Sequence, residues 1–320
     1  MDTTAFRAAL DRFVRSDEGS WDPDGTLERL LAEVPGLSSR GKLGLLRLAA
    51  AHLAPGEAYV EVGSWKGLSI IAAMLGNAEA PFYAIESFDG YGVRGREARK
   101  ALRRNVEAWV GEGRLRLLEG DFVDLLGRGP IPEPIGVYFY DADHSSLGQY
   151  LALGVAEPHL ADEALVVIDD TASRVVARAT DRYVREHPGY ELLADLPGSP
   201  SGGRWWNGLR IYAFRRAQAA AAAAAGVVWR RAVYRAAYRP AAFLVGRVMP
   251  RAGLRLAHAV RSLPRLLRGH PREPIGSFAL LEASPPTGPE GNGDERKAEG
   301  PGEAGSGPGG VGRDAYTRPR

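Results

Sequence analysis

Most of the side chains that could do chemistry sit in short strings, each following an apolar run. The strings are Glu61-Val62-Gly63-Ser64-Trp65-Lys66-Gly67, the lone Glu86, Glu119-Gly120-Asp121-Phe122, Tyr140-Asp141-Ala142-Asp143-His144-Ser145 and Ile168-Asp169-Asp170-Thr171. If the apolar runs are neighbouring strands, Asp141, Asp169 and Asp170 converge, and like charges brought together repel unless a cation sits among them. All-oxygen ligation of that kind suits Mg²⁺, Mn²⁺ or Ca²⁺. A plainer reading has Asp169 or Asp170 cap the segment that follows, residues 171–185. His144, with an ordinary pKa near 6.5, and Asp143 beside it are the proton carriers. The glycines of the first string permit a tight turn with no Cβ between backbone and ligand. Their acid-x-Gly-x-x-x-Gly spacing differs from the Gly-x-Gly-x-x-Gly of dinucleotide folds, which argues against a nicotinamide-dependent oxidoreductase. Glu86, 25 residues after Glu61, is placed to accept from ribose hydroxyls. Asp121 and Phe122 pair an acceptor for an adenine amine with a ring to stack on it.

Seven apolar runs must position these strings: 58–62, 81–86, 114–119, 136–141, 164–169, 190–195 and 208–214. Most are near-continuous, the pattern of strands covered on both faces of a parallel sheet. Residues 196–207 between the last two are too few for a helical crossover, so the final strand is expected to run antiparallel. The fold class read from this is α/β: a Rossmann-like seven-stranded, mostly parallel sheet with an antiparallel last strand. N-terminal amphipathic helices, near 4–15 and 25–34, precede it, and a helical and disordered extension follows.

Charge divides the chain further. The net charge of +2 conceals −7 over residues 1–215, +12 over 216–272 and −3 over 273–320. The middle segment has 12 arginines and no acid, with Arg231, Arg235 and Arg239 at helical i, i+4 spacing. The expected organisation is therefore a helical cap (1–40), a catalytic domain (41–215), a basic extension (216–272) and a disordered Gly/Pro/Glu-rich tail (273–320). Several readings of the extension stand side by side: a face for an anionic membrane surface, a nucleic-acid contact (the less favoured), an intramolecular partner for the acidic domain, a dimerisation element, or a poorly ordered tail. Absence of cysteine excludes disulfides, thiolate metal sites and cysteine nucleophiles. With no apolar leader at the N-terminus and no run long enough to span a bilayer, a cytoplasmic protein, peripheral to the membrane at most, is expected.

The acid-x-Gly-x-x-x-Gly turn and the seven strands ending in a hairpin resemble the class I S-adenosylmethionine-dependent methyltransferases, over roughly residues 41–214. The resemblance implies that Glu61 and the backbone at Gly63, Ser64 and Gly67 contact the amino-acid part of the cofactor. It implies likewise that Glu86 meets the ribose and Asp121 and Phe122 the adenine, with Asp141 also among the cofactor-binding residues. The acids after the fourth and fifth strands are similar to those of metal-dependent O-methyltransferases, of both the catechol and caffeoyl-CoA type and the macrocin-type sugar branch. The Asp-x-Asp-His string also resembles a broad bacterial methyltransferase family. Implied are a divalent ion, Mg²⁺ foremost, on Asp141, Asp169 and Asp170, and methyl transfer to a hydroxyl of a small molecule or sugar. His144 is favoured over Asp143 as general base, because an Asp beside a cation is depressed in pKa. Metal-independent N- or O-methylation, and a cofactor-binding scaffold acting through its basic extension, are the alternatives. Trp205 and Trp206 are read as an acceptor platform or as sheet-edge packing, and Ser39, Arg40 and Lys42 as residues that could face the acceptor.

Overall fold

The computed structural model describes residues 1–88, 92–198, 203–219 and 224–242. The chain divides into two units, Met1–Glu273 and Pro274–Arg320. The second lies outside the described residues, as do the expected disordered tail and the part of the basic extension beyond residue 242.

All seven expected strands form: β1 (Ala58–Val62), β2 (Phe82–Glu86), β3 (Leu115–Glu119), β4 (Ile135–Tyr140), β5 (Leu160–Asp169), β6 (Tyr190–Leu196) and β7 (Leu209–Arg215). They make one sheet of order β3-β2-β1-β4-β5-β7-β6. The first five are parallel, and β7 runs antiparallel between β5 and β6. Every residue of β1, β2 and β4 is buried. Alternate residues feed two cores, as the strand period of two requires. Along β4, Val137 and Phe139 enter the core packed by the N-terminal helices, while Tyr138 and Tyr140 enter the opposite one. The edge strand β3 is only half-buried.

The N-terminal cap supplies α1 (Thr3–Arg15) and α2 (Thr26–Glu33) near their expected positions, and then α3 (Arg40–Ala50). With α4 (Leu68–Met74) and α5 (Val93–Val110) these cover one face of the sheet. On the other face lie α6 (Phe122–Leu126), α7 (Ser146–Ala156), α8 (Arg174–Glu186) and α9 (Ala224–Val233). The last continues into a π turn, Tyr234–Tyr238. Among the described residues, no helix is long and apolar enough to cross a membrane.

Every candidate string therefore lies at the carboxyl edge of β1 to β5, where open α/β sheets bind ligands. Four non-glycine residues with positive φ share that edge: Trp65, Phe88, Asp170 and Trp206. Backbone strain of this kind persists where the surroundings over-determine it and gathers at functional sites.

Candidate active site

The turn after β1 is drawn hard against the end of β4. Gly63 has φ +97°, and a Cβ there would lie 1.9 Å from the Asp141 carbonyl oxygen, so only glycine fits. Gly67, φ +95°, leads into α4, and a Cβ on it would press on Leu102. Glu61 is fully buried on β1 and accepts from Ser69 Oγ at 2.6 Å. Burial pushes its carboxyl up to about 7, against the pull of that hydroxyl. Glu86 is also buried and raised, although the backbone N–H groups of Trp65 (3.0 Å) and Ser87 (3.0 Å) hold it back. Its carboxylate thus ties the first turn to the second strand.

At β3 the Asp121 side chain caps α6, with Oδ1 accepting from Val123 N at 2.9 Å and Asp124 N at 3.4 Å. Phe122 is buried between Tyr140 (5.4 Å between ring centroids) and Tyr234 (6.1 Å). Its ring is core, and Tyr234 covers it from the extension.

The acids after β4 and β5 separate in a way that strand alternation alone did not indicate. Asp169 is still in β5, paired with Leu209, and 2 % exposed. Its Oδ2 accepts from the ammonium of Lys42 on α3, which is 3.3 Å from Asp141 Oδ2 as well. Lys42 is 1 % exposed and lies 5.3 Å above the Phe139 ring. Burial alone would lower its pKa, but Asp141 and Asp169 overturn that and raise it, so the ammonium stays charged. Asp141, which burial would raise, is held well below the usual carboxylate range by Lys42 and His144. Asp169 is pushed up by burial and by Asp141. Asp170 leaves the strand at φ +57° and swings to the other partner, with its Oδ2 3.2 Å from His144 Nδ1.

His144 is thereby held between two carboxylates. Its Nε2 lies 3.5 Å from Asp141 Oδ1 and makes no hydrogen bond. Burial favours the neutral ring, but Asp141 and Asp170 outweigh it and raise the pKa. Asp141, His144 and Asp170 can each bring one donor atom within 4.8 Å of the others. The three carboxylates expected together do lie close: Asp141 and Asp170 are joined by His144, and Asp141 and Asp169 by Lys42. Asp143 stands apart: its Oδ1 accepts from Ser145 N at 2.9 Å and from Tyr238 Oη at 3.1 Å. Ser173, rather than Asp169 or Asp170, occupies the N-cap position of α8.

Of the residues read as facing the acceptor, Lys42 reaches the site. Ser39 caps α3 through Lys42 N, and Arg40 pairs with Glu28 at 3.6 Å. Trp205 is buried against Trp21 (5.6 Å) and Phe13 (6.2 Å) of the N-terminal cap, which makes it packing. The sequence signal for Lys42 was a lysine in an otherwise apolar helix stretch, Lys42 to Leu46. The signal for the tyrosines of the extension was their four-residue spacing between the arginines.

Residues 60–171 match a family model described as a methyltransferase domain. The chain is similar in fold to solved structures that include the cofactor-bound Rv0187 from MTB (22 % identity, TM-score 0.46, covering 65 % of this chain and 95 % of that one). Another is the O-methyltransferase from Bacillus cereus in complex with SAH (16 %, 0.45, 60 % and 91 %). A third is TomG from Streptomyces achromogenes, an O-methyltransferase involved in tomaymycin synthesis, in complex with SAM (14 %, 0.43, 67 % and 99 %). No curated protein matches the chain in sequence. The domain match runs from β1 past the end of β5, on a sheet of this order with a glycine turn after its first strand, and over those residues the chain is similar to a methyltransferase domain.

Proposed function

We propose that the protein is an S-adenosylmethionine-dependent methyltransferase acting on a hydroxyl oxygen of a small molecule or sugar, with His144 as its general base. The observation that carries the reading is the state of that imidazole: Nδ1 lies against Asp170 at 3.2 Å, and Nε2 makes no hydrogen bond. A base oriented by a carboxylate on one nitrogen and left able to accept on the other is the arrangement proton abstraction needs.

The chemistry of the donor set fits the cofactor. Buried carboxylates at the ends of β1 and β2 and a capping carboxylate after β3 suit, in turn, an ammonium, ribose hydroxyls and an adenine amine. Bound S-adenosylmethionine supplies a methyl group already activated by a sulfonium. What remains for the protein is to align the acceptor oxygen and remove its proton. His144 Nε2 takes that proton as the O–CH₃ bond forms and the electron pair of the breaking S–CH₃ bond stays on sulfur. Asp170 stabilises the resulting imidazolium, and the proton leaves to solvent. Lys42 offsets one unit of the negative charge that Asp141 and Asp169 bring to the cluster the acceptor meets.

A second reading has its own observation, the convergence of Asp141, His144 and Asp170. These donors fit a divalent ion such as Mg²⁺, which would supply Lewis-acid polarisation of the acceptor hydroxyl. Asp169 is then a partner of Lys42 rather than a ligand. Ligation through Nε2 would remove His144 as base, whereas ligation through Nδ1 would leave Nε2 for the proton. Purified enzyme dialysed against EDTA is expected to retain methyl transfer to hydroxylated acceptors and to lose it in His144→Ala. Loss of turnover in EDTA, restored by Mg²⁺ or Mn²⁺, selects the metal reading. Transfer to amines and to no hydroxyl overturns both.

A further inference from the structure

The arginine-rich extension closes over the end of β3. Tyr234 is buried there, and Val227 is buried against α7, where a Cβ on Gly154 would meet it at 2.8 Å. Arg230 lies 3.9 Å above the Tyr150 ring. Arg235 Nε donates to Asp124 Oδ1 at 2.7 Å, and Arg239 bonds the other oxygen of the same carboxylate. Between these arginines, Tyr234 and Tyr238 stack at 5.2 Å and send their hydroxyls to different acids. Tyr238 Oη donates to Asp143 Oδ1 and Tyr234 Oη to Asp121 Oδ2, each at 3.1 Å. Both tyrosines belong to the π turn, a distortion that recurs at functional sites.

We propose that Tyr234 is a positioning residue for the adenine of the cofactor, acting through Asp121. The inference rests on the reading that Asp121 receives the adenine amine. A carboxylate offers about four acceptor positions. On Asp121, two are taken by Val123 N and Asp124 N at Oδ1, and a third by Tyr234 Oη at Oδ2. One position on Oδ2 remains, with Arg239 Nε 3.7 Å from the same oxygen, on a group whose torsion is fixed from both sides. Tyr234 can hold it because its own ring is locked, buried between Phe122 and Tyr238. The basic extension thus supplies a residue of the cofactor site from outside the methyltransferase match.

The test compares two ligands on the full-length chain by calorimetry: S-adenosylhomocysteine and its hypoxanthine counterpart, in which a carbonyl replaces the amine. Tyr234→Phe removes one hydroxyl and leaves the packing. It is expected to weaken adenine binding about 3- to 10-fold, the effect of one hydrogen bond, with hypoxanthine binding unchanged, so the preference falls by the same factor. Equal weakening of both ligands marks a merely structural role and overturns the proposal, as does an unchanged preference. Asp121→Asn keeps a capping oxygen while presenting a donor to the base, and so is expected to abolish or invert the preference. If Asp121→Asn leaves the preference intact, the adenine reading of Asp121 fails. If it abolishes the preference and Tyr234→Phe does not, the positioning role alone fails.

Discussion

Two acidic clusters lie along one edge of the sheet, and each is met by cations from an opposite end of the chain. At β4 and β5, Asp141 and Asp169 meet Lys42 from the N-terminal cap, with 1 % of the lysine side chain exposed. At β3, Asp121 and Asp124 meet Arg235 and Arg239 from the C-terminal extension, with 44 % and 48 % exposed. The charge pairing is alike and the solvent is not. In low dielectric a removed partner strands its neighbour's charge, whereas water screens the exposed pairs. The N-terminal contact is therefore built into the fold, and the C-terminal one is exchangeable.

The hardest way to break that contrast is at Lys42. Lys42→Met leaves Asp169 without its cation in the core and is expected to cost about 3–5 kcal/mol in urea unfolding, the range for breaking a buried ion pair. Lys42→Met combined with Asp169→Asn should recover much of the loss, since neither charge is then stranded. A single variant as stable as wild type would mean that Asp169 is protonated in the fold and the pair is no ion pair. Next in size is His144→Ala, expected to lower kcat about 10²- to 10⁴-fold while leaving cofactor binding in place. A fall in cofactor affinity matching the fall in rate would move His144 from chemistry to architecture.

A smaller effect belongs to Glu61, where no cation comes to meet a buried acid. Its carboxyl is pushed up to about 7, and in the proposed role, facing the ammonium of the cofactor's amino-acid part, only its ionised form would serve. Below about pH 7 Glu61 carries a proton that binding must expel. Affinity is therefore expected to weaken as pH falls, approaching about tenfold per unit, with up to about one proton released on binding. Calorimetry in buffers of different ionisation enthalpy reads that proton directly. Glu61→Gln should flatten the slope, and a slope that survives the substitution belongs to another group.

The same contrast explains what could be read in advance. The strands were legible because burial on both faces writes continuous apolar runs, as in Ile135 to Tyr140, and the hairpin followed from the short link before β7. The glycine turn was legible because its geometry admits no side chain at Gly63. Lys42 was singled out as a residue that could face the acceptor, but its ion pairs were not legible, because its partners lie 99 and 127 residues away, and a lone lysine on an apolar helix does not say which acid it will meet. The divergence of Asp169 from Asp170 was equally hidden, since it depends on the left-handed backbone at Asp170. The extension was half legible. Its i, i+4 arginines announced a helix, and the opposition of a −7 domain to a +12 segment permitted an intramolecular partner without naming Asp121 or Asp124.

The smallest expected effect bears on that partner. Asp124, which burial would raise, is held below its ordinary range by Arg235 and Arg239, but both arginines are nearly half exposed. Exposed pairs contribute about 0.2–1 kcal/mol each and weaken with ionic strength. Fully burying a side chain such as Val227 or Tyr234 is worth about 1.5–3 kcal/mol. Packing therefore holds the helix down, and the arginines set its register on α6. Arg235→Ala and Arg239→Ala should then leave the unfolding midpoint almost unchanged while speeding amide exchange over Tyr234–Tyr238, and raising salt in the wild type should do the same. Val227→Ala should instead speed exchange along Ala224–Val233, insensitively to salt. If salt alone released the whole segment 224–242, charge rather than burial would be its anchor, and the two ends of the chain would be held to the sheet by the same force after all.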